Sequence, residues 1–259
     1  TLIRLQVLKS IRSTSFAKSI LATGFLVFIA LLLLGYVFLA GLFLSRIIDL
    51  LAEGKEPIGF LNSFLIYFFL IEFVYRYFIQ KLPVVELESL LHLPIGKAKI
   101  VQVLLLRSFI SPMNLIAILL FLPFGAQVVM EKFGVMGFVG WIGTLVLLSW
   151  TTHWFMLWFK QRFEDSTVGL IVVFGVLLLG GGTAYMGWFN VGELLAPLFD
   201  FAITNLIPFV VMVLLVGFSF YLAYGFYVRN AYLEDLSEEE DVRFVNQSFG
   251  FLSRFGVAG

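Results

Sequence analysis

Six long apolar runs divide this chain of 259 residues and restrict it to very few kinds of fold. A helix that crosses a lipid bilayer needs about 20 consecutive apolar residues, and each of these runs meets that length. The runs cover residues 16–44, 58–80, 100–130, 135–159, 166–185 and 206–228. The sequence therefore predicts an all-α polytopic membrane protein whose transmembrane domain, residues 16–228, has six spans.

The composition agrees with a membrane protein and excludes several kinds of site. Hydrophobic residues make up 61% of the chain and the mean hydropathy is +1.01, whereas soluble domains are about 45–50% apolar. The formal net charge is +0, so charge does not point to nucleic acid, and we expect no such partner. The absence of cysteine from the sequence excludes disulfides, thiolate catalysis and cysteine-bound metals. No removable signal peptide is expected.

The first 15 residues have a partly amphipathic pattern. Ile3, Val7 and Ile11 share one helical face, while Lys9 and Arg12 lie largely opposite. One interpretation is an interfacial helix that lies in the plane of the membrane surface. The other is a basic flank that only anchors the first span.

Residues 81–100 form a polar island between the second and third apolar runs. Charged residues make up only 13% of the chain, yet several fall within these twenty positions: Lys81, Glu86, Glu88, Lys97 and Lys99, together with His92. Apolar residues recur there at helical spacing, at Val84, Val85, Leu87, Leu90 and Leu91, and Pro94 then stops the helix. The pattern predicts a short amphipathic helix on one membrane face.

Two charges inside the second span form a candidate functional site. Glu72 and Arg76 are one helical turn apart, so their side chains can meet. Each charge near the bilayer centre costs about 2.5–3.5 kcal/mol, and each apolar residue of the span returns roughly 0.3–0.6 kcal/mol. These sums nearly cancel, so the pair is expected to face protein or water. Alternatively, Arg76 snorkels to the cytoplasmic end with Glu72 as a structural partner.

The third and fourth spans carry further polar residues. Pro112 removes a backbone hydrogen bond and is expected to kink the third span. His153 lies in the fourth span among Trp150, Trp154 and Trp158. A histidine in such a setting is more often an interfacial residue than a ligand or a proton relay, and we expect the former.

The connection at 187–205 is too apolar for an ordinary loop. Gly192, Pro197 and the acids Glu193 and Asp200 interrupt it too often for a span. We interpret it as a re-entrant or interfacial helical hairpin. The last segment, 229–259, is rich in acidic residues and is expected to be a solvated cytoplasmic tail or linker.

The distribution of basic residues predicts the orientation. With six spans and a cytoplasmic N-terminus, ten lysines and arginines fall on or beside the cytoplasmic side, and only Arg46, Lys55 and Lys132 fall outside. The polar island is then cytoplasmic and the 187–205 connection faces outward.

The polar island resembles the coupling helix of ABC exporter permeases of the type V (drug and polysaccharide exporter) class. A helix between the second and third spans ends in Leu93-Pro94-Ile95, and spaced lysines then lead into an apolar helix. The stretches LIRLQVLKSIRSTSFAKSILA, QKLPV and HLPIGKAKIVQVLLLRS also resemble the first half of an uncharacterised family of long bacterial ABC-type permeases.

The resemblance implies a permease, or permease half, of an ATP-driven exporter. It implies an interfacial helix at 1–15, a re-entrant hairpin before the last span, and a position in the cytoplasmic (inner) membrane with both termini cytoplasmic. The partners would be a cytoplasmic ABC ATPase subunit, a second permease copy or second half, and membrane lipid. The coupling segment, residues 81–99, would dock in the ATPase, and a rigid third span would carry the displacement. The coupling residues would be Glu86, Leu87, Glu88, Leu90, Leu91, Pro94, Lys97 and Lys99.

No catalytic motif accompanies this pattern. The sequence contains no GxxxxGK[ST] phosphate loop, HExxH pair or nucleophile elbow. We therefore expect no enzyme activity, no metal and no cofactor on this chain, with ATP and Mg²⁺ bound by the partner subunit. The alternative function is a secondary transporter or channel that uses Glu72 and Arg76 as an ion or proton site.

Overall fold

The computed structural model describes residues 14–51, 54–80, 96–109, 111–163, 166–187 and 190–230. Every regular element within these ranges is a helix. Outside the described residues lie positions 1–13 of the predicted interfacial helix, positions 81–95 of the coupling segment and the acidic tail beyond residue 230. Four helical stretches are long and apolar enough to cross a membrane, and a shorter apolar helix spans Thr167–Gly182. The prediction of an all-α fold is confirmed for the described residues, and their long apolar helices are typical of a membrane protein.

Nine α-helices follow one another in the described residues, with two π-helical turns at Gly125–Val129 and Leu178–Gly182. The α-helices are α1 (Thr14–Leu51), α2 (Pro57–Ile79), α3 (Lys97–Ser108), α4 (Pro112–Phe124), α5 (Met130–Phe163), α6 (Thr167–Leu177), α7 (Thr183–Tyr185), α8 (Val191–Thr204) and α9 (Ile207–Asn230).

The longest apolar stretch, Lys97–Phe163, folds back on itself as a helical hairpin. Its backbone leaves the helical conformation at Gly134, where φ is 71°. On either side of this point the two arms meet in antiparallel register. The ring of Phe124 lies 6.0 Å from that of Trp141, and the ring of Phe109 lies 4.1 Å from that of Trp150. Each arm is longer than the bilayer requires, so the stretch has the length of two spans.

Packing contacts give the relative directions of α2, α5, α6 and α9. Helices α2 and α5 run parallel, because Asn62 bonds to Trp141 near one end and Arg76 contacts His153 near the other. Helix α9 runs parallel to α5, since Gly143 meets Phe209 and Trp154 packs on Phe220. Helix α6 is antiparallel to α2. Gly169 lies against Tyr77 and Gly180 against Leu70.

The third apolar run is broken rather than kinked. Helix α3 ends at Ser108 and α4 begins at Pro112, where the missing N–H of proline is not needed. Ser111 caps the new helix by accepting a hydrogen bond from the backbone N of Met113 at 3.4 Å. Pro112 therefore starts a helix, and the expectation of one rigid third span is wrong.

In the described part of the connection, residues 187 and 190–205, there is a single helix, α8, and no second arm of the predicted hairpin. The side chain of Asn190 caps its start, and Pro197 sits inside the helix without ending it. Fourteen residues extend about 21 Å, which is short of the roughly 30 Å of a bilayer core. The helix packs on the first half of α2, where a Cβ on Gly192 would stand 2.0 Å from the backbone oxygen of Ser63.

The buried apolar residues form three separate clusters. The largest joins the first half of α2 to α4, α8 and the start of α5. A second joins α3 to α9 and to Trp154 and Leu157 of α5. A third joins the end of α2 to α5 and α6 through Tyr77, Phe159 and Val173. A layer of polar side chains lies between the first cluster and the other two.

Candidate functional site

The polar layer brings together six side chains from three spans: Glu72 and Arg76 of α2, Ser108 of α3, Asn114 of α4, and Ser149 and His153 of α5. Five of the six are at most 3% exposed, and Arg76 is wholly buried. Lone polar residues within apolar runs thus converge at one depth.

Glu72 and Arg76 form an ion pair inside the protein. Oε1 of Glu72 accepts hydrogen bonds from Nε of Arg76 at 2.8 Å and from Nη2 at 2.5 Å. The hydroxyl of Ser149 donates to the same oxygen at 2.5 Å. Arg76 is thus held by protein and does not snorkel to the bundle end.

The guanidinium of Arg76 also connects the two arms of the broken third span. Nη2 donates to Oδ1 of Asn114 at 2.9 Å and to Oγ of Ser149 at 3.1 Å. Asn114 in turn donates to the backbone oxygen of Phe109 at 2.7 Å. This carbonyl lies at the break, where no residue of a continuing helix can bond to it. Asn114 therefore supplies a hydrogen bond to the carbonyl freed at the break, and at the same time it connects α4 to Arg76 of α2.

The bonding pattern fixes the protonation of His153. Arg76 has only donors, so Nδ1 of His153 accepts from Nη1 at 3.2 Å and carries no proton. The hydroxyl of Ser108 donates to the backbone oxygen of Leu105 at 2.8 Å. It therefore accepts from Nε2 of His153 at 3.1 Å. His153 is a neutral imidazole in a buried relay, and the expectation of an interfacial residue is wrong.

The polar layer extends to the end of α2, where the coupling segment begins. The side chain of Gln80 donates to the backbone oxygen of His153 at 3.2 Å, and Nζ of Lys160 donates to the backbone oxygen of Gln80 at 2.9 Å. Of the predicted coupling residues, Lys97 and Lys99 lie in the first turn of α3, half-buried and exposed respectively. Six others lie outside the described residues: Glu86, Leu87, Glu88, Leu90, Leu91 and Pro94.

Two acceptors of the polar layer are not satisfied, Oε1 of Gln80 at its edge and Oε2 of Glu72 at its centre. Oε2 of Glu72 is buried and has no hydrogen-bond partner among the described residues. A buried polar atom without a partner is costly, so such an atom often marks a position that serves a ligand, a water molecule or a proton. Glu72 combines a fully bonded oxygen that holds Arg76 with a second oxygen that is available.

A second polar group lies at the opposite end of the bundle. The buried amide of Asn62 accepts from the indole of Trp141 at 3.0 Å and donates to Asp200 of α8 at 2.6 Å. Nearby, Lys132 pairs with Glu56 on the surface. Asp200 and Glu56 line a small cavity of about 240 Å³ with Ile58, Gly59, Phe133, Ile203 and Thr204. This group anchors α8 to α2 and α5.

Sequence reasoning identified the ion pair but missed its partners. Asn114, Ser149 and His153 are single polar residues in apolar runs, and only their common depth in the folded bundle unites them. The available signal was that each interrupts a predicted span. Within the part of the chain that the structure describes, no group of three or more His, Cys, Asp or Glu residues is placed to hold a metal ion.

One family model, described as a family of unknown function (DUF5687), matches residues 6–259. No curated protein and no solved structure matches the chain.

Proposed function

We propose a function from the fold and its charges, because the chain belongs to the DUF5687 family, whose function is unknown. The chain is the membrane-embedded permease subunit, or permease half, of an ATP-driven ABC exporter. It has six spans and lies in the cytoplasmic membrane with both termini cytoplasmic. A separate cytoplasmic ATPase binds ATP and Mg²⁺, and a second permease copy or second half completes the transporter.

The separation of charge between the two bundle ends carries this proposal. Because α2, α5 and α9 run in one direction and α3 in the other, one end gathers five basic residues: Lys97, Lys99, Lys160, Arg162 and Arg229. The opposite end has three, Arg46, Lys55 and Lys132, and holds every described acid except Glu72: Asp49, Glu56, Glu131, Glu193 and Asp200. The positive-inside rule assigns the basic end to the cytoplasm. The coupling segment joins α2 to α3 at that end, where a cytoplasmic motor can reach it.

The attachment of the coupling segment supports a mechanical role. On one side it starts from Gln80, which Lys160 and His153 hold against α5. On the other side it leads into α3, a separate helix of 12 residues that ends at the break. A displacement of the coupling segment therefore acts on α3 and not on the whole third span.

A labelling experiment tests the orientation. The natural sequence has no cysteine, so a single Leu90→Cys variant reports on the coupling segment alone. We expect a membrane-impermeant maleimide to label it in inside-out vesicles and not in intact spheroplasts. Lys55→Cys, at the opposite end, serves as the control and should show the reverse. Labelling of Leu90→Cys from outside would refute the proposal.

A purification experiment tests the ATPase partner. The tagged chain is isolated from its native membranes in mild detergent, and the release of inorganic phosphate from ATP is measured. Reversing two charges together, Glu86→Lys and Glu88→Lys, is expected to abolish the co-purifying ATPase activity. Glu56→Lys, at the far end, should retain it. Undiminished activity with the double reversal would contradict a charge-selected docking site.

The unsatisfied oxygen of Glu72 favours a second candidate function, transport driven by an ion gradient. A buried carboxylate oxygen without a partner is available to a proton or a cation. Here proton entry into proteoliposomes, driven by a potassium diffusion potential and followed with a trapped pH dye, would require Glu72. Glu72→Gln would then abolish the flux, and no ATPase would co-purify. The absence of any flux in the wild-type protein would exclude this candidate.

A further inference from the structure

The break in the third apolar run has the backbone chemistry of a joint. Helix α4 has its own cap at Ser111 and begins with Pro112, so it needs no hydrogen bond from α3. The freed carbonyl of Phe109 is bonded by the side chain of Asn114, which belongs to α4. Changing the angle between α3 and α4 therefore breaks no bond of a continuous helix. Breaks of this kind at membrane depth are tolerated only where the protein covers them.

The two helices on either side of the break pack in different apolar clusters. Helix α3 buries Ile100, Val101, Leu104 and Leu105 against α5 and α9. Helix α4 buries Ala117, Phe121 and Phe124 in the cluster formed with α1, α2, α8 and the start of α5. Because packed interiors move as bodies and do not deform continuously, a change of angle concentrates at the boundary between the clusters. That boundary is the polar layer.

Apolar packing alone fixes α3 weakly in a membrane. Lipid tails are as apolar as leucine, so α3 loses little hydrophobic free energy when lipid replaces α5 and α9. The hydrogen bonds of the polar layer have no such substitute in lipid. These hydrogen bonds therefore add to van der Waals packing in setting the position of α3.

Arg76 holds both sides of the break at once. Through Nη1 it reaches His153, whose Nε2 donates to Ser108, the last residue of α3. Through Nη2 it reaches Asn114 in the first turn of α4. Removing the hydroxyl of Ser108 disconnects only α3 from Arg76, and the indole of Trp154 still donates to Leu105 of α3 at 3.4 Å. Changing Arg76 disconnects both helices.

We propose that the break at Ser111, where the backbone is extended with ψ 140° before Pro112, is a hinge in the third span, and that Arg76, acting through His153 and Ser108, is the catch that holds it in the observed position. When the catch releases, α3 swings while α4 stays with the cluster around α2 and α8. The hinge is a property of this chain alone and goes beyond the proposed function, since it requires no ATPase. Where an ATPase binds the coupling segment, its movement would change the angle of α3.

Distances between pairs of spin labels test the hinge, and the cysteine-free sequence allows labels without other changes. The first pair, called the lower pair, is at Phe78 and Val103 and spans α2 and α3 on the side of the polar layer toward the basic end. The second pair, called the upper pair, is at Phe64 and Leu122 and spans α2 and α4 on the opposite side of the layer. All four side chains are exposed, between 41% and 57%. The labelled chain is reconstituted in nanodiscs for pulsed electron paramagnetic resonance.

Ser108→Ala is the decisive variant because it removes one half-buried hydroxyl and leaves the ion pair intact. Loss of one interhelical hydrogen bond in a membrane shifts a two-state equilibrium about threefold on average. We expect the lower pair to gain a second distance or a broader distribution, while the upper pair stays unchanged. The matched control is Ser219→Ala, since this buried serine bonds only to a carbonyl of its own helix, that of Val216. It should change neither pair.

Arg76→Lys is a second test. Lysine keeps the positive charge but lacks the planar guanidinium, whose two terminal nitrogens reach His153 and Asn114 together. A larger change in the lower pair is expected. The hinge is refuted if the lower pair keeps its wild-type distribution in Ser108→Ala, or if both pairs broaden together in that variant, which would show general loosening. Should Arg76→Lys fail to fold, the result with Ser108→Ala still decides.

Discussion

Removing the charge of Arg76 should destabilise the protein far more than removing the whole ion pair. Arg76→Met leaves the carboxylate of Glu72, which is 1% exposed, without its cation. Breaking a buried pair in this way costs about 3–5 kcal/mol, because one charge stays buried and uncompensated. In the double variant, Glu72→Leu with Arg76→Met, no charge remains. The double variant still lacks the hydrogen bonds of Arg76 with Asn114, Ser149 and His153. Each is worth about 0.6 kcal/mol in a membrane, so their loss costs about 2 kcal/mol together.

The measurement is equilibrium unfolding in mixed micelles of dodecyl maltoside and sodium dodecyl sulfate, followed by the fluorescence of the five tryptophans. The single variant should lose about 3–5 kcal/mol and the double variant about 2 kcal/mol, so the second change restores stability. A double variant that is less stable than Arg76→Met would refute this reasoning. It would mean that the two charges contribute independently, as they would if water filled the polar layer.

Three further predictions use the same unfolding assay. Gly41→Ala should cost about 1–3 kcal/mol, because its Cβ would stand 2.3 Å from a backbone oxygen of α4, while Gly35→Ala, with nothing within 4 Å, should cost nothing. Asn62→Ala should cost about 1–3 kcal/mol and weaken the anchoring of α8, since a buried indole N–H loses its acceptor and Asp200 its donor. Glu56→Gln should change stability by less than about 1 kcal/mol, because its ion pair is exposed; a cost near that of Arg76→Met would overturn the distinction between buried and exposed pairs.

The sequence predicted the helical class and the positions of the apolar segments well because both depend on run length. A bilayer demands about 20 apolar residues in any sequence context, so no tertiary contact was needed to recognise them. The ion pair was also accessible, since Glu72 and Arg76 are neighbours on one helix. The number of spans and the coupling segment stay predictions.

The errors arose where one residue type has two structural uses. Pro112 suits both a kink inside a helix and the first turn of a new one, and only the cap at Ser111 decides for the second. Pro197 was counted among the residues that interrupt the 187–205 connection, and it lies inside α8. His153 was placed at an interface because tryptophans surround it in sequence. Its contacts with Arg76 and Ser108 come from other helices, and no local pattern encodes them.

The polar layer also couples the insertion of α2 to the assembly of the bundle. The fourteen Ile, Leu, Phe and Val residues between Ile58 and Ile79 nearly balance the cost of inserting the two charges. Helix α2 is therefore only marginally stable in lipid by itself. Its polar partners Asn114, Ser149 and His153 belong to α4 and α5, which follow it in the chain. Secure insertion of α2 must then await these later helices, so the contacts that hold the hinge in the folded protein also complete its assembly.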